Sequence, residues 1–164
     1  MWKKTITPCL WFDRQAEEAA HLYVSIFPES KITSVGRFPD AGEEIHGGKP
    51  GSVMAVSFEL TGRPFTALNG GPLFRFNEAI SLQVPCDSQD EIDFFWKKLS
   101  EGGDPEAQQC GWLKDRFGVS WQVFPAQLDD WLADTNRDKA ARVMSVMLKM
   151  KKMDLETLRR AHEQ

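Results

Sequence analysis

The segment DRFGVSWQVF, residues 115–124, decides the fold of this chain. An Asp followed three residues later by a Gly is typical of a tight turn, and the alternating residues that come next predict a strand. Within that strand Trp121 and Gln122 point to opposite faces, so Trp121 is expected to pack under a helix. Gln122 then lies on the other face. What that face can bind depends on the hydrogen bonds that this neutral amide can make.

One plan, a strand followed by a helix and further strands, appears twice along the chain. In the first copy the strand TITPCLWF (5–12) precedes a helix that Asp13 is expected to cap. In the second copy AISLQVPC (79–86) precedes a helix that starts at a capping box with Ser88 as its cap. The two caps lie 75 positions apart. Further strands are predicted at SKITSVGRF (30–38), SVMAVSFEL (52–60), PFTALNG (64–70), QCGWLK (109–114) and VSWQVF (119–124).

The β pattern stops after Phe124, and three helices are predicted in residues 126–164. From Asn136 onward there are eight Lys or Arg residues against four Asp or Glu residues, a local charge of +4, so the rest of the chain carries -8. We interpret this basic tail as a solvated face on helices that dock by a Met and Leu stripe.

Composition excludes several classes of protein. The 164 residues are 41% hydrophobic and 27% charged, with a net charge of -4, so there is no basic excess for holding nucleic acid. No apolar run is long enough to span a membrane, and the first residues lack the features of a secretory signal. Three cysteines without a Cys-x-x-Cys spacing favour reduced thiols, and the cytoplasm is the expected compartment.

The two copies, opened by CLWFDRQAEEAAHLYVSIFP and closed by DRFGVSWQVF, resemble the vicinal oxygen chelate superfamily, which includes glyoxalases and extradiol dioxygenases. Within it the chain is similar to the PhnB-like group, in the branch named for demethylubiquinone methyltransferase, through GWLKDRFGVSWQVFP and KAARVMSVMLKMKKMDLETL. The resemblance implies an α+β fold in a single domain: two βαβββ modules whose sheets form curved half-barrels, plus C-terminal helices. The expected bounds are about 4–72, 78–125 and 126–164. It also implies a homodimer.

Enzymes of this superfamily hold a divalent metal with His and Glu side chains from the first and last strands of each module. The resemblance places those positions at Thr7, at Ala67 or Asn69, at Ala79 or Ser81, and at Gln122. Because transition metals prefer imidazole or carboxylate ligands, this set predicts no metal site and no cofactor. One alternative remains open, in which His46 on the loop GEEIHGGKP binds metal together with Glu43 or Glu44.

The concave face implied by the resemblance combines aromatic walls with neutral hydrogen-bonding groups, which suits a flat or partly apolar small molecule. The candidate ligand-binding residues are Thr7, Cys9, Trp11, Asn69, Ser81, Gln83, Gln122 and Phe124. Two other interpretations stay open: a filled core in which these polar groups bond one another, and an assembly module. Cys9 has no activating base nearby in sequence, which favours an inert buried thiol.

The expected function is therefore small-molecule binding or sequestration without a metal, with no partner beyond a second copy and the ligand. The alternative is a metal-dependent lyase or dioxygenase with atypical ligands, so whether the chain is an enzyme stays undecided. Methyl transfer is not expected, because Gly70 and Gly71 are followed by Pro72 and β-like sequence instead of the helix that a nucleotide-type cofactor site requires.

Overall fold

A computed structural model of the chain describes residues 5–164. The predicted start of the first module, near residue 4, lies outside the described residues. The chain forms two compact units, the first ending at Phe76 and the second beginning at Asn77. No helix of the described part is long and apolar enough to cross a membrane.

The first unit follows the predicted order of one strand, one helix and three strands. Its elements are β1 (Cys9–Phe12), α1 (Ala16–Ile26), β2 (Lys31–Arg37), the short α2 (Glu43–His46), β3 (Val53–Leu60) and β4 (Arg63–Asn69). The strands form one sheet in the order β1-β4-β3-β2. β1 runs parallel to β4, and the other neighbours are antiparallel. This arrangement brings the first and last strands of the unit side by side.

α1 covers one face of this sheet. Its buried stripe consists of three alanines, Ile26 and Tyr23. The ring centroid of Tyr23 lies 6.3 Å from that of Phe58 on β3. Leu10 and Phe12 of β1 point to the same side and are buried. Burial of these apolar side chains is the main source of stability for the unit.

The start of α1 differs from the prediction. Asp13 does not cap the helix; the position before it is Gln15, which makes no side-chain capping bond. Instead Asn69 at the end of β4 accepts the backbone N–H of Ala16 at 2.8 Å. A residue 53 positions away therefore satisfies one of the free amides at the helix start.

The second unit contains a three-stranded sheet. Its elements are β5 (Leu82–Cys86), α3 (Gln89–Ser100), a 3-10 turn (Pro105–Ala107), β6 (Trp112–Lys114), β7 (Ser120–Pro125), α4 (Leu128–Leu132), α5 (Arg137–Met147) and α6 (Leu155–Glu163). The strand order is β5-β7-β6, with β5 parallel to β7. The resemblance implied four strands here, whereas the described chain has the 3-10 turn between α3 and β6. Pro105 has no N–H to give to a sheet, and Asp104 caps the turn by accepting the N–H of Glu106.

The capping box at α3 is confirmed. Ser88 Oγ accepts the N–H of Glu91 at 3.2 Å, and Glu91 Oε2 accepts the N–H of Asp87 at 2.7 Å. Trp121 is buried on the α3 side of the sheet together with Val123 and Leu113, as the alternation predicted.

The C-terminal helices belong to the second unit. The backbone N–H groups of Cys110 and Gly111 donate to the carbonyls of Met150 and Lys151, both at 2.8 Å. Gln89 on α3 accepts the N–H of Leu155 at 2.8 Å. Met153 is buried beside them. These bonds fasten the segment between α5 and α6 to the rest of the unit.

Candidate functional site

Strand pairing divides the first sheet into two faces. Leu10 pairs with Ala67 on the α1 side, whereas Cys9 pairs with Thr66 and Trp11 with Leu68 on the face opposite α1. Cys9 is exposed and Trp11 is half-buried. Two of the predicted ligand-binding residues of this unit therefore share one face, as expected.

Trp11 is held firmly on that face. Its indole N–H donates to the carbonyl of Gly71 at 2.9 Å, and its ring meets the edge of Phe74 at a centroid distance of 5.0 Å. The ring lies so close to Gly70 that a Cβ on that residue would sit 2.2 Å from it. Trp11 is consequently a preformed aromatic wall.

Strand pairing does not place the other two predicted residues of the first unit, Thr7 and Asn69, on this face. Thr7 is exposed and precedes β1. Asn69 pairs with Phe12, which places it on the α1 side, away from Trp11. Its Oδ1 accepts from Ala16, and its Nδ2 donates to the carbonyl of Val53 at 3.0 Å. The placement of Asn69 on the concave face was therefore wrong: its amide is used to join α1, β3 and β4.

Cys9 also differs from the prediction, because the thiol is exposed instead of buried. Partial desolvation nevertheless raises its pKa above the ordinary value. A raised pKa leaves less thiolate at neutral pH, which argues against a nucleophilic role.

On the second sheet, the face opposite α3 collects the predicted polar residues. Gln83 of β5, Gln122 of β7 and Trp112 of β6 are paired side by side. Gln122 Nε2 donates to Ser81 Oγ at 2.7 Å. Gln83 is exposed, and Gln122 and Ser81 are half-buried. The result is a neutral row of amide and hydroxyl groups flanked by an indole.

The two ends of this row differ. Phe124 pairs with Pro85 and is only 8% exposed, so it contributes little accessible surface. At the other end, Lys114 forms a close ion pair with Glu78, which neutralises the charge of the lysine and lowers the pKa of Glu78. The row itself thus remains uncharged.

Asp115 and Gly118 of the closing motif serve the turn. The buried Asp115 carboxylate accepts the N–H groups of Phe117 and Val119 at 2.9 and 3.0 Å and the indole N–H of Trp121 at 2.9 Å. Gly118 has φ of 85°, a conformation that side chains other than Gly rarely adopt. The motif therefore has a structural role in holding β7.

The residues present do not fit the metal ion of the superfamily. The implied ligand positions carry hydroxyl, methyl and amide groups, and the amides of Asn69 and Gln122 are already hydrogen-bonded. Among residues 5–164 there is no group of three His, Cys, Asp or Glu side chains placed to hold a metal. Neutral amides compete weakly with water for a transition metal.

The alternative ligand set, His46 with Glu43 or Glu44, is equally unsuited to binding a metal. His46 Nδ1 accepts the N–H of Gly48 at 3.0 Å, so the ring proton lies on Nε2, which is 3.1 Å from the carbonyl of Ala41. The ring stacks on Phe38 at a centroid distance of 4.6 Å. Both ring nitrogens are occupied in shaping the loop, and neither is free to bind metal.

Sequence reasoning missed a cleft of about 640 Å³ in the first unit. It lies between the start of α1, the loop before β3 and the segment after β4, and Asp13, Arg14, Phe38 and Lys49 help to line it. The signal that could have revealed it was Phe38, an aromatic residue directly before a Gly-rich loop. Hydrogen bonds of His46 to Ala41 and Gly48 give this loop internal order.

Comparison with known proteins identifies the family. The family model described as 3-demethylubiquinone-9 3-methyltransferase matches residues 4–124. A solved PhnB protein from Bacillus cereus, described with the same family label, is 36% identical, with 74% of this chain and 99% of that chain covered and a TM-score of 0.62. No curated protein matches the chain.

Two more distant structures share the fold alone. Protein PA1353 from Pseudomonas aeruginosa is 21% identical over 75% of this chain and 98% of that chain, with a TM-score of 0.57. The fosfomycin resistance protein FosX from Mesorhizobium loti is 12% identical over 82% of this chain and all of that chain (100%), with a TM-score of 0.55. These matches confirm the predicted glyoxalase-like fold class. The chain belongs to the family labelled 3-demethylubiquinone-9 3-methyltransferase, a PhnB-like branch of the vicinal oxygen chelate superfamily.

Proposed function

We propose that this protein binds a small molecule without the help of a metal ion, on the faces of its sheets that lie opposite the helices. The observation that carries the proposal is the neutral row on the second sheet, in which the exposed Gln83 lies beside the half-buried Gln122, at a position where the resemblance implies a metal ligand. Amide and hydroxyl groups beside an aromatic wall suit a ligand with its own neutral hydrogen-bonding groups.

The proposed contacts follow the accessible side chains. On the second sheet they are Ser81, Gln83 and Gln122, next to Trp112, and Phe124 forms the buried end of the row. Within the first unit, Cys9 and Trp11 form a separate candidate surface on the first sheet. Because Trp11 is fixed by Gly71 and Phe74, it needs little reordering when a ligand arrives, which lowers the entropic cost of binding.

Methyl transfer finds no support in the local structure. The Gly70–Gly71 pair follows β4, but it leads into an irregular segment and not into a helix. A doubly wound methyltransferase needs a helix start at that place to bind its cofactor. We therefore treat the family label as a name and not as an activity.

The proposal includes a homodimer in the cytoplasm. Two large apolar side chains in the segment between β4 and β5 are exposed, Leu73 by 74% and Ile80 by 78%. Covering such side chains is what a second copy does in symmetric dimers. Analytical ultracentrifugation measures the assembly directly, and a monomer at micromolar concentration contradicts this part of the proposal.

The first experiment is metal analysis by elemental mass spectrometry, on protein dialysed after exposure to zinc, nickel, manganese and iron. We expect far less than one ion per chain. Gln122→Glu is an informative variant: it restores one carboxylate, yet the hydroxyl groups of Thr7 and Ser81 leave the set too weak, so its metal content should also stay low. About one ion per wild-type chain would favour a metal-dependent lyase or dioxygenase.

Two variants separate the remaining interpretations. His46→Ala should leave the metal content unchanged, because the ring nitrogens are already bonded within the loop. Gln122→Leu should abolish the binding of any ligand found by a thermal-shift screen of neutral, hydrogen-bonding small molecules. Ligands that bind Gln122→Leu as well as the wild type would place the binding site elsewhere.

A further inference from the structure

A second cavity, independent of the proposed ligand site, lies in the second unit. Its volume is about 420 Å³, and it opens between the starts of α3 and α6 and the helix α4. Apart from Gln89, its lining residues come after residue 124, where the match to the family ends. The cavity therefore lies almost wholly outside the residues that the family model matches, and its volume lies within the size range of small-molecule sites.

One wall of the cavity is the indole of Trp131 on α4. His162 of α6 stacks against this ring with a centroid distance of 5.9 Å and an interplanar angle of 24°. Trp131 itself lines the cavity, so part of its surface is accessible there. The imidazole is in turn bound to Asp134 at 2.7 Å. Trp131 is thus fixed in position by a chain of contacts.

The residues that line the cavity carry a negative net charge. Two carboxylates, Asp154 and Glu156, face one guanidinium, Arg159. That guanidinium is already bonded to Glu156 at 2.8 to 3.0 Å and to Glu163 at 2.8 Å. Its positive charge is therefore compensated twice, and the charge that remains for a ligand is the carboxylate of Asp154.

Asp154 is anionic at neutral pH. It caps α6 by accepting the N–H of Thr157 at 2.7 Å, and its pKa is lowered by hydrogen bonding to Thr157 and by the nearby Arg160 and Lys152. These two basic side chains have partners of their own, since Lys152 binds Asp93 and Arg160 lies 3.7 Å from Glu156. An electron-rich ring and a carboxylate that line the same cavity form a combination that attracts organic cations.

We propose that this cavity binds a small organic cation, a quaternary or aromatic ammonium, with its charge over the Trp131 ring and Asp154 as its counterion. Gln127 lines the same cavity. Within residues 5–164 its side-chain amide does not cap α4, so it can contact a polar end of the ligand. A metal cation is not expected, because residues 5–164 contain no group of three His, Cys, Asp or Glu side chains placed to hold one.

The test compares choline with its neutral isostere 3,3-dimethylbutan-1-ol by isothermal titration calorimetry on the full chain. Choline and tetramethylammonium should bind saturably, and the alcohol should bind at least roughly tenfold more weakly because it lacks the charge. Binding should weaken as salt is added. Absence of saturable binding of both cations overturns the proposal, and so does equal binding of the alcohol.

Variants at Trp131 and Asp154 test separately how much the aromatic ring and the negative charge contribute to binding. Trp131→Leu should weaken choline binding by roughly tenfold or more, and Trp131→Phe should weaken it less, because Phe keeps a smaller aromatic face. Asp154→Ser should weaken it about fivefold while keeping a good helix cap, since serine is a preferred residue there. The Ser variant thus tests the charge without unfolding α6.

Matched controls are available outside the cavity. Asp104→Ser removes the same charge from another cap, at the 3-10 turn, and Phe94→Leu removes an exposed aromatic ring from α3. Both should bind choline like the wild type. If Asp104→Ser weakens binding as much as Asp154→Ser, the attraction comes from the overall charge of the protein and the assigned site is wrong.

Discussion

Replacing Asp115 by alanine gives the sharpest test of how the closing turn is held. The carboxylate is 3% exposed and accepts three hydrogen bonds, from the backbone N–H groups of Phe117 and Val119 and from the indole N–H of Trp121. All three partners lie in the turn or in β7. Asp115→Ala would remove the acceptor from all of them at once.

The expected cost follows from the burial of these donors. The bonds from Val119 and Trp121 are buried, whereas water can reach the N–H of Phe117 in the variant. Each buried donor left without a partner costs about 1–3 kcal/mol, so Asp115→Ala should lower the free energy of unfolding by roughly 4 kcal/mol. That is a large share of the ~5–15 kcal/mol by which a typical domain is stable.

The assay is urea unfolding followed by far-ultraviolet circular dichroism at neutral pH. Asp104→Ala is the matched control, because this exposed carboxylate accepts one bond, from Glu106, and its loss should cost about 1 kcal/mol. Asp115→Asn should fall between them, since its amide keeps one acceptor oxygen but turns an N–H group toward a donor. Equal midpoints for the two alanine variants would refute the reasoning.

Three further outcomes are expected. Burial raises the pKa of the Cys86 thiol to about 12, so iodoacetamide at pH 8 should label the exposed Cys9 in the native protein and Cys86 only after unfolding, as read by peptide mass spectrometry. The pKa of Asp134 is lowered by hydrogen bonds from the Asn136 backbone and His162, so the carboxylate stabilises the fold above the ordinary carboxyl pKa and this effect is lost on acidification. Asp134→Asn should therefore be less stable than the wild type at pH 7. In acid-unfolding curves the difference should vanish once the pH falls below the lowered pKa of Asp134. Gly70→Ala should displace the Trp11 ring, because the new Cβ would lie 2.2 Å from it; an unchanged indole N–H resonance of Trp11 in NMR spectra would contradict this.

Alternation of residues predicted the second sheet well, because that sheet has contrasting faces. Trp121 and Val123 are apolar, whereas Gln83 and Gln122 are polar, so period-two spacing assigns each to a face without ambiguity. The pattern alone also indicated three strands in the second module. The fourth strand came from the resemblance, and DPEA at residues 104–107 forms the 3-10 turn instead.

Alternation gives no clear assignment of faces at β4, for a physical reason. Phe65 and Ala67 on one face alternate with Thr66 and Leu68 on the other, and neither set is distinctly polar. Nothing in such a strand shows which side faces the helix, so alternation could not correct the face that the resemblance implied for Asn69. Its capping bond to Ala16 joins residues 53 positions apart, and a partner so distant in sequence leaves no local signal.

The bonds from Cys110 and Gly111 to residues 150–151 have a consequence for how the protein can be divided. A fragment that stops after Pro125, close to the limit of the family match, would leave two main-chain donors without acceptors and would uncover the site where Met153 packs against Gly111. Deleting residues 126–164 should therefore destabilise the second unit. These residues are better regarded as part of its architecture than as a removable appendage.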